Sequence, residues 1–168
     1  MRYETFRWLA AVIVAHPEKK IVGRTRLQKT IWLLQRLGLP TGYSYKTYFY
    51  GPYSEDLHAE LGLLQRFEIV TEDPKEARDG SPYFIIQAKD TDHLPSLPDN
   101  LTKALKTISG TDDTTILELA ATYDAFRSQG SDHAEAIERL RRKKGAKCEG
   151  GREDKALQLL AKLGLEAA

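Results

Sequence analysis

The sequence predicts an α+β fold, and three features lead to this prediction. Helical periodicity near the N-terminus indicates two helices, an alternating aromatic segment indicates a strand, and two β-type runs follow a third helix. The strand segment, residues 43–50, ends abruptly at Gly51-Pro52, and Ser54 then occupies the capping position of the next helix. The chain has 168 residues, enough to bury a core without disulfides or bound metals.

Two helices are predicted before the aromatic segment and one after it. The first, residues 3–16, is apolar on nearly all sides, which indicates a central position, and Pro17 ends it. The second, residues 25–38, carries its leucines on one face and polar side chains on the opposite face. The third, residues 54–66, has leucines on its core face.

Two β-type runs, residues 69–71 and 83–86, flank a polar segment with a Gly-Ser-Pro turn signal at residues 80–82. The predicted order is therefore helix, helix, strand, helix, strand, turn, strand. A winged helix has this order, and its last two strands form the hairpin called the wing. The sequence thus predicts a winged-helix-like N-terminal module.

An acidic segment that contains two prolines divides the chain into two parts. We predict the winged-helix-like module over residues 1–88, a linker at 89–100 and a helical C-terminal part, 101–168, packed on the module. The C-terminal part contains four helical segments, one of which opens with Asp132 and Glu135 at capping-box spacing.

The overall charge is nearly balanced, with 25 basic and 24 acidic residues and a formal net charge of +1. Such a balance does not steer a protein onto nucleic acid, so any basic footprint must be local. Cys148 is the only cysteine, which excludes an intramolecular disulfide and a thiolate zinc site. The sequence shows neither a signal-peptide pattern nor an apolar run long enough to span a membrane, so we expect a cytoplasmic protein with no membrane partner.

No pattern indicates catalysis, and we expect no catalytic residue, no metal and no cofactor. There is no glycine-rich phosphate loop, and four scattered histidines lack partners at metal-ligand spacing: His16, His58, His93 and His133. Lysines near Cys148 are a setting that lowers a thiol pKa, but no histidine base accompanies them. Glu118 and Asp124 lie on a helix whose apolar face is full and are predicted to be solvated. An enzyme with a carboxylate site is the least favoured of three hypotheses.

A tryptophan, Trp32, lies in the middle of the polar face of the second helix. It is either covered by the C-terminal segment or an interface anchor, and the sequence leaves both readings open. We predict that Trp32, its exposed polar neighbours and the tyrosines near the Gly-Pro turn together form a partner-binding surface. This surface comprises Gln28, Lys29, Trp32, Gln35, Arg36, Tyr48, Tyr50 and Tyr53.

The alternative is a winged-helix regulator that binds DNA or RNA through two basic clusters. The first is Lys19, Lys20, Arg24 and Arg26, and the second is Arg141, Arg142, Lys143 and Lys144. This alternative requires the two clusters to converge on one surface. Against it, Glu55 and Asp56 open the third helix, where they would face phosphates in a groove-reading arrangement.

Short motifs on both sides of the aromatic strand carry a family resemblance. They are Leu27-Gln28-Lys29 before an apolar helix and Tyr50-Gly51-Pro52-Tyr53-Ser54 before a leucine-spaced helix. They resemble the Panacea (SocA-like) antitoxin domain and, more closely, its YwgA-like, phage-associated relatives. Residues 117–120 and 155–160 also resemble the helical C-terminal half of these relatives. Tyr53 departs from the valine that is common there.

The resemblance implies a non-enzymatic, antitoxin-like protein that binds a toxin or effector protein, in a mobile-element or phage-defence locus. Carried over by motif, its marked residues are Leu27, Gln28, Lys29, Tyr50, Gly51, Pro52 and Tyr53. A homodimer is a further partner that the sequence leaves open.

Overall fold

The computed structural model describes residues 3–48, 50–89 and 93–165, and for Tyr3 the backbone alone. Phe49 of the predicted aromatic strand and residues 90–92 of the predicted linker lie outside the described residues. The fold is α+β, with seven α-helices and two small antiparallel sheets in the described part of the chain.

The helices and strands follow one another in a mixed order over the first half and are all helical afterwards. The first half contains α1 (Tyr3–Ala15), β1 (Lys20–Val22), α2 (Arg24–Arg36), β2 (Lys46–Tyr48), β3 (Gly51–Tyr53), α3 (Glu55–Arg66), β4 (Val70–Glu76) and β5 (Pro82–Ala88). The second half contains α4 (Asp99–Ser109), α5 (Thr114–Ser128), α6 (His133–Lys144) and α7 (Arg152–Lys162). Short 3-10 turns cover Pro17–Lys19 and Gly145–Cys148.

The larger sheet has three antiparallel strands in the order β1-β5-β4. Strand β1 was not predicted, because three residues beginning with a lysine give no periodic signal; in the sheet Ile21 is buried opposite Ile86. Strand β4 continues past the predicted run through Pro74, which pairs with Phe84. A proline is tolerated there because β4 is an edge strand, and backbone amides on its outer edge have no neighbouring strand to which they must donate.

The aromatic segment differs from its prediction. Instead of one strand over residues 43–50, the structure has a hairpin of two short strands, in which Tyr48 pairs with Gly51 and Thr47 with Pro52. Gly51 and Pro52 therefore belong to strand β3, and the prediction that the turn lies at these residues is wrong. The next helix begins as predicted, because the Ser54 hydroxyl accepts a hydrogen bond from the Leu57 amide.

Helix α5 is the centre of the molecule. Every residue from Ile116 to Phe126 is buried, and the helix packs against α2, β3, α6 and α7. The buried apolar residues of both halves form one cluster, which includes Leu34 of α2 and Leu119 of α5. The predicted capping box of α6 is confirmed, with Asp132 and Glu135 each bonded to the other's backbone amide. Packing on α5 thus joins the N-terminal half to the C-terminal helices.

Strand β3 lies against α5 without room for a side chain at Gly51. A Cβ atom at Gly51 would stand 2.2 Å from the Thr122 hydroxyl oxygen, and that hydroxyl is itself bonded to the Glu118 carbonyl. The Gly51 backbone also has a φ of +93°, in the region that favours glycine. Both the contact and the dihedral angle therefore require glycine at this position.

Gly51→Ala should destabilise the protein more than Gly23→Ala, its matched control. Gly23 has a φ of +98° but open space around its Cβ position, so its substitution carries the backbone strain alone, about 1–3 kcal/mol. Gly51→Ala adds the displacement of Thr122, a further ~1–3 kcal/mol. Urea unfolding of the two variants measures this difference, and equal losses would mean that β3 does not press on α5.

Candidate functional site

The β2–β3 hairpin places three tyrosine side chains at or near the surface. Tyr48 and Tyr50 are 41% and 59% exposed, and Tyr53 is half-buried. The rings of Tyr48 and Tyr53 meet edge to face with centroids 5.6 Å apart, which fixes their orientation. We call these three residues the tyrosine hairpin. A fixed pair of partly exposed rings is a feature typical of protein-binding surfaces.

A narrow apolar pocket of about 110 Å³ opens between the tyrosine hairpin and the first turns of α2. We call it the hairpin pocket. It is lined by Arg24, Thr25, Gln28, Lys29, Tyr48, Tyr50, Gly51 and Tyr53. Five of these residues belong to the predicted partner-binding surface. Arg24, Thr25 and Gly51 were not included in that predicted surface.

Lys29 lies under the tyrosine hairpin and is only 1% exposed. Its ammonium nitrogen donates a hydrogen bond to the Pro52 carbonyl at 2.8 Å, which ties α2 to β3. Burial lowers the Lys29 pKa to about 7, an effect that Glu118 opposes and Lys144 reinforces. The prediction that Lys29 is exposed is therefore wrong: β3 and α5 cover the face of α2 that carries it.

Gln28 is also buried, at 3% exposure, although it was predicted to be exposed. Its side-chain nitrogen donates to the Ser54 carbonyl at 2.9 Å, and the Ser54 amide donates to its side-chain oxygen at 2.9 Å. The amide thus pairs with the backbone as a neighbouring strand would, and its burial leaves no polar atom unsatisfied. Gln28 and Lys29 support the tyrosine hairpin from beneath.

Trp32 and Arg36 converge on one carboxylate of α5. The Trp32 ring nitrogen donates to Asp124 Oδ2 at 3.0 Å, and Arg36 Nε donates to the same oxygen at 2.8 Å. Asp124 is buried, so the prediction that it is solvated is wrong. Trp32 remains half-buried with its ring edge to face against Tyr45, so the C-terminal part covers it partly, and its interface role stays a prediction.

Gln35, another residue of the predicted surface, organises the loop after α2. Its side-chain nitrogen donates to the Tyr43 carbonyl at 3.0 Å, and its oxygen accepts from the Thr41 hydroxyl and the Tyr43 amide. Arg36 is exposed but bound to Asp124. The structure therefore divides the eight predicted residues into five on α2, whose polar groups bond within the protein, and three tyrosines on the hairpin.

Two lysines, Lys144 and Lys147, bond to Glu118 and are called the lysine cluster below. Glu118 was also predicted to be solvated. Glu118 is 4% exposed, and its Oε1 accepts from Lys144 Nζ at 2.5 Å and from Lys147 Nζ at 3.1 Å. Burial lowers the Lys144 pKa, against the effect of its bond to Glu118. The Lys147 ammonium lies 4.8 Å from the centre of the Tyr50 ring, a cation–π contact. The lysine cluster thus reaches the edge of the tyrosine hairpin.

A signal for this cluster was present in the sequence. Glu118 and Asp124 are the only charged residues between Ile116 and Phe126, and both lie inside a helix without a polar face. A charge in such a helix must be buried with a partner, because solvent cannot reach it. Helical periodicity alone did not identify the partners, which lie on other elements.

The two basic clusters are largely engaged within the protein. Arg26 is buried and donates to the Thr111 and Asp112 carbonyls at the start of α5, and Lys144 is buried at Glu118. The other ion pairs join Lys20 to Glu18, Arg24 to Glu72, Arg141 to Glu153 and Arg142 to Glu138. Burial removes Arg26 and Lys144 from the surface that phosphates could reach, which weakens the nucleic-acid alternative.

The described residues contain no group of three or more histidine, cysteine, aspartate or glutamate side chains placed to hold a metal ion. Burial raises the Cys148 pKa, contrary to the setting expected from its lysine neighbours. The His133 Nδ1 atom lies 2.7 Å from the Tyr123 hydroxyl. In residues 3–48, 50–89 and 93–165, no helix has the length and apolar character needed to cross a membrane.

Lys29 gives the stability of the protein a characteristic pH dependence. Because burial lowers its pKa from 10.5 to about 7, the unfolded chain binds more protons than the folded one between these values. The free energy of unfolding of the wild type should therefore rise, relative to that of Lys29→Met, from about pH 7 to about pH 9. Chemical unfolding of both proteins across this range measures the effect, and parallel profiles would contradict the buried, neutralised amine.

Comparison with known proteins gives one partial relationship. No family model matches the chain. A stretch of 45 residues is 40% identical to the uncharacterized protein YwgA of Bacillus subtilis (strain 168). The match spans 27% of this chain and 27% of that relative, about a quarter of each. The chain is thus similar to YwgA over this stretch, and the similarity supports a YwgA-like relationship.

Proposed function

We propose that the protein is a non-enzymatic, antitoxin-like regulator that binds a toxin or effector protein on the tyrosine hairpin. One observation carries the proposal: Tyr48 and Tyr50 are exposed beside a preformed apolar pocket, on a hairpin held from beneath by buried hydrogen bonds. Exposed aromatic side chains next to a pocket act as anchors in protein interfaces. A hairpin already fixed in the free protein loses little conformational entropy when it binds.

We further propose that the N-terminal half is a winged-helix-like module. The order α1-β1-α2-α3-β4-β5 supports this proposal, as does the three-stranded β1-β5-β4 sheet, in which β4 and β5 would be the wing. In this arrangement the β2–β3 hairpin is an insertion between α2 and α3. The tyrosine hairpin would then be an addition to the module and not its usual groove-reading helix.

Charge favours a protein partner over nucleic acid. The first turn of α3 carries Glu55 and Asp56, both exposed, and the basic side chains of the two clusters are mostly paired with carboxylates or buried. Nucleic-acid binding needs cationic side chains that neutralise phosphates and release the counterions of the nucleic acid. Arginines already paired with carboxylates are less suited to this. The motif resemblance supports the same proposal, including a locus in a mobile element or phage defence.

Capture experiments with hairpin variants test the proposal. Tagged wild type, Tyr48→Ala/Tyr50→Ala and Phe67→Ala are used to capture partners from native-host lysate, with and without nuclease. Phe67 is the matched control, since it is an aromatic residue of 65% exposure that contacts Phe6 on α1, away from the hairpin. We expect a stoichiometric protein that survives nuclease, binds Phe67→Ala normally and loses affinity for the tyrosine variant by about tenfold or more.

Two outcomes would contradict the proposed function. A partner retained at full strength by the tyrosine variant would show that binding occurs on another surface. Recovery of nucleic acid, with all proteins lost after nuclease treatment, would support the nucleic-acid alternative instead. Thermal unfolding of each variant confirms that a loss of capture is not a loss of fold.

A further inference from the structure

We infer that the tyrosine hairpin recognises a segment that places one aliphatic side chain in the hairpin pocket and an acidic side chain at Lys147. This inference rests on the proposed function and specifies the chemistry of the partner. It depends on three features: the size of the hairpin pocket, the partly exposed Lys147 beside Tyr50 and the position of Glu55 beside Tyr48.

The hairpin pocket fits one apolar side chain of limited size. Its volume is about 110 Å³, and mainly carbon atoms of the tyrosine hairpin and α2 form its walls. An engineered apolar cavity of about 150 Å³ in another protein accepts benzene, so this smaller pocket suits a branched aliphatic group better than an aromatic ring. Leu, Ile, Val or Met of a partner would displace poorly bonded water from such a pocket.

Lys147 places a cation beside the hairpin pocket. Its ammonium bonds to the carboxylate of Glu118, which also accepts a hydrogen bond from Lys144. The Lys147 side chain is 42% exposed, so a partner can approach it from solvent. A carboxylate of a partner would make a charge-assisted hydrogen bond at this point.

Tyr50 lies between the hairpin pocket and the Lys147 ammonium. Its ring lines the hairpin pocket and also lies 4.8 Å from the Lys147 ammonium. One aromatic ring therefore separates the two subsites, a span that adjacent or alternate residues of an extended peptide cover at about 3.3 Å per residue. The acidic residue should thus lie within two positions of the aliphatic anchor.

Glu55 gives the bound segment a direction. It lies beside Tyr48, and its carboxylate accepts a hydrogen bond from the Tyr48 hydroxyl at 3.3 Å. A partner carboxylate beside Tyr48 would be repelled by Glu55, whereas beside Tyr50 it would meet Lys147. The acidic residue is therefore expected on one side of the anchor only.

Selection from a library of phage-displayed random peptides tests the inference on the full chain. Peptides are selected on wild type after depletion on Tyr50→Ala. We expect enrichment of sequences with Leu, Ile, Val or Met and with Asp or Glu within two positions, on a constant side. No enrichment, or enrichment without acidic residues, would overturn the inference.

A double-mutant cycle on a synthetic selected peptide then tests the contact with Lys147. Replacing the acidic residue by its amide should weaken binding to wild type about tenfold and leave binding to Lys147→Met unchanged. Lys143→Met is the matched control, since Lys143 is an exposed lysine at the end of α6, four residues before Lys147. Equal losses on wild type and Lys147→Met would overturn the inference. If tyrosine-dependent capture of a protein persists in that case, the proposed function stands and only the acidic specificity fails.

Discussion

The packing of Gly51 and Pro52 between α2 and α5 is the constraint on which the rest of the structure depends. On one side the Lys29 side-chain nitrogen donates a hydrogen bond to the Pro52 carbonyl, and on the other side Gly51 contacts Thr122 with no space for a side chain. The hairpin is therefore clamped by helices from both halves of the chain. Its strands are only three residues long and could not be stable alone, so their order comes from this packing.

The clamp brings ionisable groups into the core. Lys29, Glu118 and Asp124 are each at most 4% exposed, and each is satisfied by a partner on another element. Buried charges cost free energy of desolvation, and replacing such pairs by apolar residues often leaves a protein as stable or more so. Their contribution here is positional: Trp32 and Arg36 on α2 can meet Asp124 on α5 in one register only. Glu118 in turn bonds both to the buried Lys144 and to the partly exposed Lys147.

The periodic parts of the fold could be predicted from sequence, and the parts that depend on distant contacts could not. The leucine spacing of α2 and α3 and the caps at Ser54 and Asp132 are local signals, and the structure contains all of them. Strand β1 is too short for a periodic signal, and the alternation of residues 43–50 predicted one strand where the structure has a hairpin. Strand β1 forms against β5, and the hairpin packs against α5.

The candidate site was predicted in part for the same reason. Helical periodicity places polar residues on the exposed face of a helix, but Gln28 and Lys29 are buried because backbone groups of Ser54 and Pro52 satisfy their side chains. The exposed tyrosines were found because their position beside the Gly-Pro pair is a local feature. Their connection to Lys147 was not, since α5 and the segment after α6 create it.

Amide hydrogen exchange at Ser54 tests most directly whether the hairpin is a fixed platform. This amide is fully buried and donates to Gln28, so it can exchange only if β3 separates from α2. If the hairpin is fixed, the Ser54 amide will be protected as strongly as the Leu119 amide in the centre of α5. Exchange of Ser54 at the rate of an open loop, with Leu119 still protected, would show that the hairpin moves independently of the core and would contradict a preformed binding surface.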